Sequence, residues 1–198
     1  PWTLPSNTAL TVGPKIDYVL VKTFNQYTFL PSNVILAKNL VGKQFAKGFF
    51  PSSEAADFEN FKAGDKKIPY QILAECKGAD LVGIRYEQLL PFALPYQNPE
   101  NAFRVISGDF VTTEDGTGIV HTAPTFGADD AKVAKEAKPE VPPMLVLDAN
   151  GNPGAALLNL NGGAAAMVAV ALAPDDVAAA NGASMNGNIL AFNNLRGP

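Results

Sequence analysis

The chain has 198 residues, of which 47% are hydrophobic, and this is enough apolar material to build a packed core. Its formal charge of -4 argues against a surface that grips a nucleic-acid backbone over its whole extent, so any nucleic-acid contact must be local. Cys76 is the only cysteine and His121 the only histidine. These counts exclude an intrachain disulfide and a zinc site of the usual cysteine and histidine type.

The two ends of the chain differ from its middle. The chain begins at Pro1 rather than with methionine and has no basic and apolar leader, so we expect a piece of a longer polypeptide. No run of about 20 apolar residues is present, which predicts a soluble, cytoplasmic protein without a membrane span. Residues 149–198 are rich in Ala, Gly and Asn, and they predict short strands and turns within one domain that covers residues 1–198.

The first half of the chain predicts a strand followed by two short helices. Residues 15–22 combine alternation with β-branched and aromatic side chains, as a half-buried strand does. Ser32 and Asn33 can cap a short helix over residues 34–40. A second helical segment is predicted to open at residues 51–54 and to continue to Phe61.

The middle of the chain mixes strand signals with prolines. Residues 79–86 predict a strand, and Pro91 and Pro95 exclude a regular central strand from the segment that follows. Strands interleaved with short helices, without the regular spacing of βαβ units, favour a mixed barrel or sheet over a doubly wound fold.

The strongest local pattern is a predicted β-hairpin followed by a helix. Residues 108–113 and 117–121 are rich in strand-forming side chains and flank an Asp115-Gly116 pair, which tolerates the positive φ of a tight turn. Residues 128–138 predict a helix, with acidic residues in its first turn and lysines after them, as the helix dipole favours.

Several common reaction centres do not fit the sequence. Gly42-Lys43 is not followed by Ser or Thr and lacks the earlier glycine of a phosphate-binding loop. Residues 116–118 lack the third glycine of a dinucleotide-binding fingerprint. No Gly-x-Ser-x-Gly elbow accompanies the lone histidine, so a covalent serine mechanism is not indicated.

What remains is a cluster of reactive side chains after the predicted hairpin. A carboxylate such as Asp129 or Asp130 near a helix N-terminus is stabilised as an anion, and it could hold a cation or orient water. Simpler roles stay open: the carboxylates could only cap the helix, and His121 could be an ordinary side chain at a strand end. Phe126 and Trp2 could serve packing alone.

Two segments nevertheless resemble the editing domain of isoleucyl-tRNA synthetases. The first is Pro-Trp-Thr-Leu-Pro-Ser-Asn-Thr-Ala-Leu at residues 1–10, and the second is Gly-Thr-Gly-Ile-Val-His-Thr-Ala-Pro-Thr-Phe-Gly-Ala-Asp-Asp at residues 116–130. Residues 81–86, 91–92 and 103–111 resemble the same family in the same order. The resemblance therefore covers residues 1–148 and leaves residues 149–198 unassigned.

This resemblance implies a fold, an activity and a set of site residues. The fold would be mostly β with short helices, a distorted closed β-barrel of the type found in valyl-, isoleucyl- and leucyl-tRNA synthetase editing domains. The activity would be hydrolysis of valine wrongly esterified to isoleucine tRNA. Asp130 would hold the α-ammonium group of the substrate and place its ester beside a water, and His121 would line the side-chain pocket. Further substrate contacts would come from Trp2, Thr3, Pro124, Phe126, Gly127 and Asp129.

The resemblance also implies partners and departures from the family. The partners would be the acceptor end of tRNA(Ile) carrying valine and the rest of the synthetase. This domain would use no metal or cofactor, and ATP and magnesium would act elsewhere, since the HIGH and KMSKS signatures are missing from this sequence. The family's threonine run before Pro1 is also missing, so an inactive isolated segment is one expected outcome. The alternatives are a noncatalytic module, which either binds the acceptor end or is a structural insert of the synthetase, and a freestanding editing hydrolase.

Overall fold

The computed structural model describes residues 3–88, 91, 93–145, 147–148 and 150–152, together with the backbone of two short strands at 169–170 and 189–190. The strands are β1 (Ala9–Val12), β2 (Asp17–Phe24), β3 (Pro31–Ala37), β4 (Phe49–Pro51), β5 (Ile68–Lys77), β6 (Arg104–Ser107), β7 (Ile119–Thr122), β8 (Ala169–Val170) and β9 (Ile189–Leu190). The helices are α1 (Val41–Gln44), α2 (Ala55–Glu59), α3 (Gly78–Leu81) and α4 (Ala128–Glu136). Single 3₁₀ turns occupy Leu4–Ser6, Lys38–Leu40 and Pro99–Asn101.

The strands form two sheets. The first has the order β6-β1-β7, in which β1 runs parallel to β6 and antiparallel to β7. The second has the order β4-β5-β2-β3-β9-β8. A mostly β protein with short helices is therefore confirmed. Among the described strands neither sheet order returns to its first strand, and the closed barrel stays a prediction.

The core lies where β2 meets the first sheet. Four consecutive residues of β2, Tyr18 to Val21, are buried, because neighbouring strands and helices cover both faces of this strand. Tyr18 joins the two sheets: its hydroxyl donates to the carbonyl of Gly118 at 2.5 Å and accepts from the backbone N–H of Gly13 at 3.1 Å. The core cluster also contains Leu10, Val12, Val34, Leu36, Leu40, Val105 and Ile119.

Three sequence-based predictions of elements are confirmed. The strand predicted at residues 15–22 corresponds to β2, and the helix predicted to follow residues 51–54 corresponds to α2. The helix predicted at 128–138 is α4, with Asp129 and Asp130 in its first turn. Residues 91 and 93–96 lie outside helices and strands, as the prolines require. None of the helices within the described ranges has the length and apolar character that crossing a membrane requires.

The predicted helix at residues 34–40 is wrong. Residues 31–37 form β3, which pairs antiparallel with β2 from Tyr18↔Ala37 to Phe24↔Pro31. Burial alternates along the strand, with Ser32, Val34 and Leu36 buried. Long-range pairing of β-branched side chains outweighs the local capping signal, and helical turns begin only at Lys38.

The strand predicted at residues 79–86 is also wrong. Residues 78–81 form α3, whose first turn is stabilised by the Asp80 carboxylate accepting the backbone N–H of Lys77 at 2.8 Å. Extended pairing begins only after this helix, where residues 83–86 lie against residues 103–105 through three backbone hydrogen bonds and the bridge between Arg85 and Arg104.

The predicted hairpin at 108–121 is wrong as well, although its return strand exists. The first run leaves the sheet after Ser107, and β6 and β7 are not paired with each other, since β1 lies between them. Thr113 and Gly116 instead accept hydrogen bonds from Asn39 and Gln44. Strand β1 thus pairs antiparallel with β7, in the position predicted for the first strand of the hairpin.

Candidate functional site

Two distant parts of the chain meet at the carboxyl end of β7. The antiparallel register places His121 opposite Leu10 and Thr122 opposite Ala9. The backbone N–H of Thr8 donates to the carbonyl of Thr122 at 3.0 Å, so the segment before β1 lies against the end of β7. The chain then turns through residues 123–127 into α4.

The side chains of Thr3 and His121 are in direct contact. Thr3 Oγ1 and His121 Nε2 are 2.8 Å apart, although 118 positions separate the two residues in sequence. Thr3 is itself fixed, because its carbonyl accepts from the Ser6 hydroxyl at 2.7 Å. This hydrogen bond fixes the orientation of the imidazole ring.

Burial keeps His121 neutral at pH 7. Desolvation lowers the pKa of His121 from its ordinary value of 6.5, and the negative charge of Asp130 opposes this shift. Asp130 thus lies within electrostatic range of the imidazole. The site thus combines an uncharged ring with a nearby carboxylate.

Asp130 is held by the turn that precedes its helix. One carboxylate oxygen, Oδ2, accepts the backbone N–H of Ala123 at 2.8 Å, and α4 has no side-chain cap at Gly127. Asp130 therefore stabilises residues 123–127 rather than the amides of its own helix. Its second oxygen, Oδ1, accepts no hydrogen bond from the described residues, so this atom is available to a further donor.

Gly127 allows the close approach of this carboxylate to the backbone. A Cβ at position 127 would lie 3.0 Å from Asp130 Cγ and 3.1 Å from Oδ2. Both contacts are tighter than ordinary van der Waals distances. Gly127 therefore shapes the site through its small size, while Pro124 is half-buried in the same turn.

The remaining predicted site residues have other surroundings. Phe126 packs against Met144 together with Phe103, as the simpler interpretation of its role expected. Asp129 is exposed and lines a separate cleft of about 460 Å³ with Lys132. Trp2 lies outside the described residues, so its predicted contact stays a prediction.

The sequence-based selection missed two polar residues beside Thr3. Asn7 and Thr8 are buried, and Asn7 Nδ2 and Thr8 Oγ1 have no hydrogen-bond partner among the described residues. Asn7 Oδ1 accepts from the hydroxyl of Tyr86. Both residues belong to the segment at residues 1–10. The sequence signal for them was a pair of polar residues directly before an apolar strand.

A metal-ligand cluster is not seen in this part of the protein. Within the described ranges no three side chains of His, Cys, Asp or Glu come together in a way that could hold a metal ion. The chemistry available to the described site is therefore that of an imidazole, a carboxylate, several hydroxyls and an amide.

Comparison with known proteins identifies relatives of this chain, although no protein-family model matches it. It is 57% identical over 151 residues to the isoleucine--tRNA ligase of Bacteroides fragilis, covering 76% of this chain and 12% of the relative. Identity to the isoleucine--tRNA ligase of Cytophaga hutchinsonii is 59% over 152 residues, covering 77% of this chain and 13% of the relative. The relative from Clostridium tetani is 44% identical over 151 residues, covering 76% of this chain and 12% of that protein.

Among solved structures, the crystal structure of GlLeuRS-CP1 is similar with a TM-score of 0.41 and 20% sequence identity. It covers 69% of this chain and 40% of that chain, and this TM-score is too low to establish a shared fold. The chain spans only 12% to 13% of the length of the curated relatives described above. At 57% and 59% identity over about three quarters of its length, the chain belongs, as a segment, to the isoleucine–tRNA ligase family.

Proposed function

We propose that this chain is the editing segment of an isoleucine–tRNA ligase and that it hydrolyses the ester between valine and tRNA(Ile). The observation that carries the proposal is the 2.8 Å contact between Thr3 and His121, because each belongs to one of the two segments that resemble the editing domain. Asp130, from the second segment, lies close enough to influence the His121 charge. Family membership supports the proposal independently.

The size of the amino acid explains why a second site is needed. Valine and isoleucine differ by one methylene, which an apolar pocket separates by only about 1–3 kcal/mol, a limit for which isoleucine–tRNA ligase is itself the standard example. An editing site must discriminate in the opposite sense, admitting valine and excluding isoleucine. The His121 ring, oriented by Thr3 and neutral at pH 7, would supply such a wall without attracting charge.

Asp130 would hold the substrate in a reactive position. Oδ2 is occupied by the Ala123 N–H, and Oδ1 would accept the α-ammonium group of the misloaded valine. A water placed against the ester carbonyl then attacks its carbon, and the ribose oxygen leaves with a proton. Because an aminoacyl ester is already activated, positioning contributes more here than a strong nucleophile would.

The wider setting of the proposal follows from the size of the relatives. We propose that the rest of the synthetase binds the body of the tRNA and presents the valine-bearing acceptor end to this segment. ATP and magnesium would act in those other parts, in the cytoplasm. We also retain the closed barrel of the editing domains as the proposed arrangement of the strands.

The test is single-turnover deacylation of Val-tRNA(Ile) by the full-length synthetase carrying Asp130→Asn. Asparagine keeps a carbonyl oxygen that can accept the Ala123 N–H, but it removes the negative charge. We expect the deacylation rate to fall about 100-fold while the melting temperature stays unchanged, because only the ammonium contact is lost.

The matched control is Glu136→Gln, which removes an exposed charge from the last turn of the same helix. Its deacylation rate should equal that of the wild type. An unchanged rate in Asp130→Asn would refute the anchoring role. If the wild-type synthetase binds Val-tRNA(Ile) but does not deacylate it, this segment is a noncatalytic module instead.

A further inference from the structure

After α4 the chain folds back along the helix toward its N-terminal end. We call residues 137–144 the return segment. The backbone N–H of Val141 donates to the Ala134 carbonyl at 2.9 Å, and the Val141 side chain is buried in the apolar cluster between α4 and the first sheet. The Arg104 guanidinium donates to the Pro139 carbonyl. The return segment is therefore packed against both α4 and the first sheet.

The end of the return segment contacts the turn that precedes α4. The half-buried Thr125 donates its hydroxyl to the Met144 carbonyl. The ring of Phe126 packs against Met144, whose side chain is fully buried. Two consecutive residues of the turn are thus attached to one residue of the return segment, which is itself anchored to α4.

The same turn holds the Asp130 carboxylate. The backbone N–H of Ala123 donates to Asp130 Oδ2 at 2.8 Å, and the N–H of Phe126 donates to the Ala123 carbonyl at 2.9 Å. Because Thr125 lies inside this closed turn, a shift at Thr125 also displaces the amide that holds the carboxylate. Catalysis is sensitive to such shifts, since a misplacement of about 1 Å can lower a rate about 100-fold.

We propose that Thr125 is a positioning residue for the Asp130 carboxylate. Its hydroxyl attaches the turn to Met144, and the turn then presents the Ala123 N–H to Oδ2. Oδ1 thereby keeps a defined direction toward the α-ammonium group of the substrate. The inference rests on the proposed function, because Thr125 acts on the reaction only through Asp130.

The test is a double-mutant cycle in the full-length synthetase, with Thr125→Val and Asp130→Asn made singly and together. Single-turnover deacylation of Val-tRNA(Ile) is measured over a range of enzyme concentrations. Thr125→Val keeps the side-chain shape and removes the hydroxyl, so we expect the maximal rate to fall about tenfold. The half-saturating enzyme concentration should not change, because the rest of the synthetase binds the body of the tRNA.

The combined variant separates positioning from a general structural effect. In the Asp130→Asn background, Thr125→Val should change the maximal rate by less than about twofold, because the charge that Thr125 positions is already gone. Thr125→Ser restores a hydroxyl and should return the rate to within about twofold of the wild type. Thr125→Ala repeats the loss of the hydroxyl with a smaller side chain, and circular dichroism verifies that each variant is folded.

The matched control is Thr23→Val, which removes a threonine hydroxyl that donates to the Pro69 carbonyl at 3.0 Å in the second sheet. Its deacylation rate should equal that of the wild type. Undiminished rates in Thr125→Val and Thr125→Ala, no rescue by Thr125→Ser, or equal losses from Thr125→Val in both backgrounds would each overturn the positioning role.

Failure of the proposed function gives a different result. In that case Asp130→Asn deacylates Val-tRNA(Ile) as fast as the wild type, or the wild type does not deacylate it at all, and the positioning role is refuted together with the anchor. A wild-type rate in Thr125→Val beside a slow Asp130→Asn refutes the positioning role alone.

Discussion

At the scale of single residues, the candidate site depends on two hydrogen bonds that fix otherwise mobile groups. Thr3 fixes the His121 ring, and the Ala123 N–H fixes one oxygen of Asp130. Each bond joins a side chain to a part of the chain outside its own element. The site is therefore organised before substrate arrives, which lowers the entropic cost of binding.

The lowered pKa of His121 predicts a pH dependence of stability. Burial disfavours the charged imidazole in the folded protein, whereas the unfolded chain protonates near pH 6.5. The stabilising contribution is therefore fully present above pH 6.5 and is lost as the pH falls from there through the lower pKa of the folded state. We expect the urea midpoint of the wild type to fall between about pH 7.5 and 5.5 more than that of His121→Gln.

Other groups titrate in the same pH range. The informative quantity is therefore the difference in urea midpoint between wild type and His121→Gln at each pH. Carboxylates contribute equally to both curves when they do not contact position 121. Parallel curves for wild type and His121→Gln would show that the histidine is solvated in the folded protein, contrary to the desolvation expected at its half-buried position.

The sequence proposed which residues form the site, but it did not predict the contacts that hold them. His121, Asp130 and Thr3 were selected because they lie in motifs that resemble a family, whereas the local pattern alone left His121 and Asp130 with simpler roles. The Asp130 carboxylate accepts the backbone N–H of Ala123 in a turn, and no side-chain pattern in the sequence predicts this contact. The position of Asp129 at another cleft depends on helix rotation, which local sequence does not determine.

At the scale of elements, Tyr18 joins strands of both sheets. Its ring is fully buried in β2, and its hydroxyl bonds the backbone at Gly13, after β1, and at Gly118, before β7. Burial raises the pKa of Tyr18 to about 12. Gly118 adopts a φ of +75°, and a Cβ there would lie 2.7 Å from Ala37 Cβ, so this junction is closely packed.

Tyr18→Phe should destabilise the protein by about 1–3 kcal/mol, because the buried Gly13 N–H and Gly118 carbonyl would lose their shared partner. The measurement is the free energy of unfolding in urea. Tyr27→Phe is the control, since Tyr27 is 67% exposed, and it should change stability by less than about 0.5 kcal/mol. Equal effects of the two substitutions would contradict the joining role of Tyr18.

Helix α4 was predicted correctly from local signals, whereas several strands that depend on distant pairing were not predicted. Helix α4 has strong helix formers and complementary charges, and it forms where predicted. The predicted hairpin failed because β1, about a hundred residues earlier in the chain, pairs with both β6 and β7. Strand β5 was missed altogether, although it pairs with β2 over most of its length.

At the scale of the whole molecule, the sequence did not predict the order of the strands in the two sheets. Local patterns predicted strands interleaved with short helices, the resemblance implied a mostly β fold, and the two sheets confirm a mostly β protein. Whether the strands close into a barrel depends on contacts between the two sheets and on residues outside the described ranges. The charge of -4 agrees with the proposal that this segment contacts only the end of a nucleic acid.

The most direct test of the central claim is a crystal structure of the full-length synthetase with a non-hydrolysable valyl-adenosine analogue. We predict that the analogue's ammonium group lies within about 3 Å of Asp130 Oδ1 and that its valine side chain contacts the His121 ring. An analogue bound elsewhere, with Asp130 engaged only by the Ala123 N–H, would contradict the account.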